Sequence, residues 1–147
     1  MIDVDSALRL YLLETSPLRM LLGGPYVYWP EVPANASSSM PRKAISFRLN
    51  GGSAEDTIPV SRPTINFRCY GATAYEANQV YRALHDRLVR KGNLIVTDTY
   101  SEPDERVAFY NWREVTPGQP LEDPGTGWPF RFSVWTATVS TLAIPTA

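Results

Sequence analysis

One histidine and one cysteine are all that 147 residues supply of the two side chains most used for metal ligation and nucleophilic catalysis. His85 and Cys69 cannot build a His/Cys metal centre or a catalytic triad within one subunit, and a lone cysteine excludes an internal disulfide. No catalytic, metal-binding or cofactor-binding residue is therefore assigned, no cofactor is expected, and the chain is not read as an enzyme. Excess charge is also missing, because 14 Lys and Arg stand against 15 Asp and Glu for a formal charge of -1. A chain that neutralises phosphates over its whole surface carries a strong basic excess, so general nucleic-acid affinity is disfavoured and only a local basic face is left open. No apolar run approaches the length of a membrane span. Met1-Ile2-Asp3 is acidic where a signal peptide would be basic, so no membrane partner is expected and synthesis in the cytosol is. Phosphate loops are absent too: neither Gly23-Gly24 nor Asn50-Gly51-Gly52 completes GxxxxGKS/T or GxGxxG, and both read as turns.

What is present is the ordinary apolar fraction of a soluble protein, 44%, in a length that suits one domain spanning residues 1–147. The clearest element runs from Thr73 to Gly92. Thr73 and Glu76 have the spacing of a capping box, Gly92 suits a stop, and Ala77, Val80, Tyr81, Leu84 and Leu88 recur at the three-and-four spacing of one helical face. Val4, Ala7, Leu8, Tyr11 and Leu12 mark a second amphipathic helix, and Ser16-Pro17 starts a short third that Gly23-Gly24 ends. Strands are predicted at Tyr26–Trp29, Lys43–Leu49, Thr64–Tyr70, Leu94–Tyr100, Val107–Val115 and Phe130–Thr141, with Asn50-Gly51-Gly52 turning a hairpin. On the third of these Ile65, Phe67 and Cys69 face one way and Arg68 the other, toward solvent. Pro30–Pro41 and Pro117–Gly127 read as long flexible loops, and 142–147 as a tail. The order predicts an α+β fold, a mostly antiparallel sheet packed by the central helix, with an N-terminal helix and long loops.

The charged residues offer little chemistry. Glu55-Asp56, Asp104-Glu105 and Glu122-Asp123 are adjacent pairs in predicted loops, without the apolar surroundings that raise a carboxyl pKa, so they read as solvated tips. Their functional reading is as interface or lumen positions. Arg82, Arg87, Arg90 and Lys91 place cations where a helix C-terminus favours them, and Arg87, outside the apolar stripe, is expected to tolerate alanine with a mild effect. Four tryptophans and eight tyrosines, among them Tyr110, Trp112 and Trp135, exceed the need of a thin core and suggest interfaces.

The opening helix, the turn Pro17-Leu18-Arg19-Met20-Leu21-Leu22-Gly23-Gly24 and Tyr26-Val27-Tyr28 resemble the start of the tail terminator, or tail completion, proteins of long-tailed bacteriophages. Strand Thr64–Tyr70, Gly71-Ala72-Thr73, helix Ala74–Arg90 and strand Asn93–Tyr100 look like that family's central unit. The resemblance implies a structural virion subunit that forms a homo-oligomeric, commonly hexameric ring. That ring caps the head-proximal end of the tail tube, stops its polymerisation and docks the head connector or stopper protein, while DNA passes through the lumen without sequence-specific binding. It further implies residence in the virion tail after assembly in the host cytoplasm. A head-to-tail connector or minor tail subunit is the neighbouring reading, and a small-ligand-binding α+β domain is the reading from another class.

Overall fold

A computed structural model describes residues 4–54, 60–89, 94–97 and 106–142. In chain order its elements are α1 (Val4–Leu13), α2 (Pro17–Leu22), β1 (Val27–Tyr28), a 3-10 helix (Ala34–Ser39), β2 (Ala44–Ala54), β3 (Val60–Tyr70), α3 (Ala74–Val89), β4 (Leu94–Thr97), β5 (Arg106–Glu122) and β6 (Pro129–Leu142). The strands form one six-stranded sheet in the order β1-β2-β3-β6-β5-β4. β1 lies parallel to β2 and the remaining neighbours are antiparallel. The fold is α+β, as its element order predicts.

Alternation along the strands decides which face is buried. Ile45 and Phe47 of β2, Ile65, Phe67 and Cys69 of β3, and Trp135 and Val139 of β6 share a core with Val80, Leu84 and Leu88 of α3 and with Leu8 and Leu12 of α1. All five residues predicted as the α1 face are buried. At the start of α3 the Glu76 amide donates to Thr73 Oγ1 at 3.2 Å, the expected cap. Gly71 precedes it because a Cβ there would lie 2.3 Å from the Ala77 amide, so a side chain would push the strand end off the helix. Ser16 Oγ accepts from the Arg19 amide at 3.2 Å, and Gly23 closes α2 with φ of 72°.

Five expectations need correction. First, Asn50-Gly51-Gly52 does not turn the chain: β2 runs on to Ala54, with a register shift between Leu49 and Gly52, the bulge that glycines in a strand permit. The hairpin tip, with Ile58, lies outside the described residues. Second, Pro117–Gly127 is not one loop, since β5 continues to Glu122 and pairs with β6 as far as Glu122 and Pro129. Three register shifts and Asn111 at φ of 56° carry it, and β4 accompanies it only as far as Phe109. Beyond that point no other described strand pairs with this side of β5, a setting in which a proline's missing amide costs no ladder bond.

Third, residues 30–41 do not hang free. Val32 and Met40 pack with Tyr26, Tyr28, Trp128 and Phe132 against Ala44, Tyr70 and Phe130, a second apolar cluster on the opposite face of the sheet. Fourth, Trp135 is 1% exposed and belongs to the core, with the His85 ring edge-on at 5.3 Å.

The fifth correction is Arg87. Its side chain is only 9% exposed, its guanidinium lies 3.9 Å over the Tyr11 ring, and it donates to Glu14 Oε2 at 2.9 Å and to the Tyr11 carbonyl at 3.2 Å. Tyr11 returns a bond from its hydroxyl to the Arg87 carbonyl at 2.8 Å. The residue clamps α1 to α3, a role that helix-end electrostatics did not suggest.

Candidate functional site

Among the described residues, the helices cover one face of the sheet, and residues 26–41 cover one end of the other. The uncovered remainder is defined by register. Ser46 of β2 pairs with Arg68 of β3, which pairs with Phe132 of β6; Arg48 pairs with Asn66, which pairs with Val134. Further along, Thr64 pairs with Thr136, and Thr136 with Arg113 of β5. The face therefore presents guanidinium, hydroxyl and amide groups on neighbouring strands.

Two depressions lie in it. One, of about 210 Å³, is lined by Glu31, Ser46, Arg48, Asn66, Arg68 and Phe132 among others. The other, of about 530 Å³, is lined by Arg62, Asn111, Trp112, Arg113, Thr136 and Thr138 among others. Asn66 Oδ1 is buried without a hydrogen-bond partner beside the first. Among the described residues, two acidic groups approach these arginines, both from the covered end. Glu31 approaches Arg48 at 3.8 Å, and Asp123 approaches Arg68 at 4.0 Å, both long for ion pairs between partly exposed groups.

Of the predicted interface or lumen positions, Glu55, Asp56, Asp104 and Glu105 lie outside the described residues. Glu122 is exposed at the end of β5. Asp123 begins the β5–β6 turn and shapes it: Oδ1 accepts from the Gly125 amide at 2.8 Å and from the Thr126 amide at 3.1 Å. These bonds hold its carboxyl below the usual carboxylate range, with Arg68 adding to the effect. Asp123 and Arg68 are thus neighbours that the sequence placed in separate elements.

A second polar cluster joins α3 to β5. The Tyr81 hydroxyl donates to Glu114 Oε2 and accepts from the Gly118 amide at 3.1 Å, while Arg131 donates to the Gly118 carbonyl at 3.3 Å. A Cβ on Gly118 would stand 2.8 Å from the Tyr81 ring, so glycine lets the strand approach. Burial, then the bond to Glu114, pushes the Tyr81 phenol up, which keeps it protonated as the donor of this lock. Cys69 is fully buried and its thiol is pushed far up by burial alone, the environment of an inert core residue.

Sequence reading found Arg68 as exposed but missed its company. Arg48 and Arg113 sit on separate strands, and the signal that joins them is the pairing β2-β3-β6-β5, which one sequence does not state. Among the described residues no group of His, Cys, Asp or Glu is placed to hold a metal, and no helix is long and apolar enough to cross a membrane. Large apolar side chains are exposed at Met20, Tyr75 and Val89 on the helical side and at Val115 and Leu121 on β5. No protein-family model matches the chain, and no curated protein does.

Proposed function

We propose that the chain is a structural subunit of a long-tailed bacteriophage virion, one that caps the head-proximal end of the tail tube and forms the docking surface for the head connector. The observation that carries this reading is the distribution of unpartnered surface. Exposed apolar residues occur on α2 and α3 and again on β5, so the molecule offers different patches on different elements. A ring closed by heterologous contacts uses two unlike patches of each subunit in this way, whereas a two-fold dimer uses one patch twice. The order α1, α2, β1 and the unit β3-α3-β4 follow the arrangement on which the family resemblance rests. The polar clusters are consistent with a structural subunit, since Tyr81 and Arg87 tie elements together.

Electron microscopy of polymerising cognate tube protein, with and without this chain, tests the proposal. The expected result is density at one end of each tube, arrested growth, and a fixed small number of subunits per tube independent of its length. Decoration along the whole tube, or unchanged growth with bare ends, overturns it in favour of a connector, minor tail or ligand-binding role.

A further inference from the structure

We infer that the open face of the sheet is a sequence-independent docking track for the sugar-phosphate backbone of nucleic acid. The inference does not rest on the capping role, because it follows from the face of the isolated subunit. Arg62 and Arg68 lie on the same side of β3, six residues apart, which is about 20 Å of extended strand. Arg48 flanks that line on β2 and Arg113 flanks it across β6, so cations border both depressions along its length. No Asp or Glu occupies a described position of β2, β3 or β6.

The groups between the arginines are those that bind phosphate oxygens: the hydroxyls of Ser46, Thr64, Thr136 and Thr138, and the Asn66 amide, which can turn its NH2 toward an incoming anion. Guanidinium pairs well with phosphate through two parallel bonds. Glu31 and Asp123 stand at 3.8 and 4.0 Å from their arginines, loose contacts that an incoming phosphate can replace. An acidic protein segment satisfies the same charges, yet a protein partner also needs a desolvated aromatic or aliphatic anchor. The large aromatics that line the two depressions are already engaged, Phe47 and Trp112 with the main core and Phe132 with the second apolar cluster. That difference favours the nucleic-acid backbone.

Fluorescence anisotropy with labelled single-stranded and double-stranded oligonucleotides of scrambled sequence tests the inference in the purified full chain. Expected are weak association, Kd on the order of 10 µM at low salt, and a log-log salt slope corresponding to about three phosphates. The triple variant Arg48→Gln, Arg68→Gln, Arg113→Gln is expected to lose at least about tenfold in affinity and most of that slope. Arg82→Gln, on the exposed side of α3, is the control and should bind as the parent does. Circular dichroism melting of the triple variant separates lost binding from lost folding; where it fails to fold, the single changes Arg48→Gln and Arg113→Gln replace it, each expected to reduce the slope by about one. Equal binding by parent and variants, no binding by the parent at low salt, or tighter binding of a poly-glutamate peptide than of oligonucleotide would overturn it.

Discussion

Arg87 illustrates how a single side chain can be misread from its neighbours in sequence. Its carbon stem and guanidinium fill the contact between Tyr11 and α3, so Arg87→Ala removes a cation-π contact, two hydrogen bonds and packing together. A loss of about 1–3 kcal/mol is expected in urea unfolding, with Arg82→Ala near zero as the comparison. Leu84, fully buried where α3 meets the sheet, is the harsher site. Leu84→Asp buries an unpaired charge and should cost several kcal/mol or abolish folding, read as a lowered or absent thermal transition.

Asp123 gives a pH dependence with a fixed sign. Its folded pKa is depressed, so the stability it lends is complete above the unfolded value of about 4 and is lost as pH falls through the folded value. The Gly125 amide resonance should therefore hold steady near neutrality and shift below about pH 4, and Asp123→Asn should flatten that response. The buried faces of α1 and α3, the burial of Cys69 and the exposure of Arg68 were legible in the sequence, because periodicity reports a residue's side of its own element. The Arg87–Tyr11 and Asp123–Arg68 contacts were not, since they depend on where two distant elements meet.

Among elements, β5 departs furthest from expectation. Thr116-Pro117-Gly118-Gln119-Pro120 has the composition of a loop, and local propensity gives no other reading. Pairing with β6 overrides it, because Gln119 meets Phe132 and Leu121 meets Phe130, while Gly118 admits the Tyr81 ring. Residues 30–41 were likewise read as a flexible loop, since Val32 and Met40 are isolated apolar residues whose cluster draws on β1, β2, β3 and β6. Hydrogen exchange should rank these segments. Residues 34–39, an exposed 3-10 helix, are expected to exchange fast in the free subunit. The Asp123, Gly125 and Gly127 amides, bonded to the Trp128 carbonyl, Asp123 Oδ1 and the Asp123 carbonyl, should exchange more slowly. Equal rates in both segments would mean that the β5–β6 turn is not held by these bonds.

For the molecule as a whole, the fold class was readable from element order, while the sheet order that assembles the arginine face was not. The proposed association through unlike patches makes a further expectation. Val115→Asp and Met20→Asp change exposed positions on separate elements, at 59% and 76% exposure, and should leave the melting temperature within about 2 °C of the parent. Whichever patch takes part in ring closure should lower the mass found by light scattering when so changed.

The part of β5 that no other described strand accompanies on its outer side bears on how such a subunit stays dispersed. A long bare strand margin invites identical margins to zip onto it, the route to fibres that add copies without limit. Here Pro117 and Pro120 withhold amide donors, and the register shifts after Tyr110, Glu114 and Thr116 break the even spacing that stacking would require. Copies held at high concentration are thus deprived of backbone zipping, and the proposed association is left to side-chain patches that can be matched once and then filled.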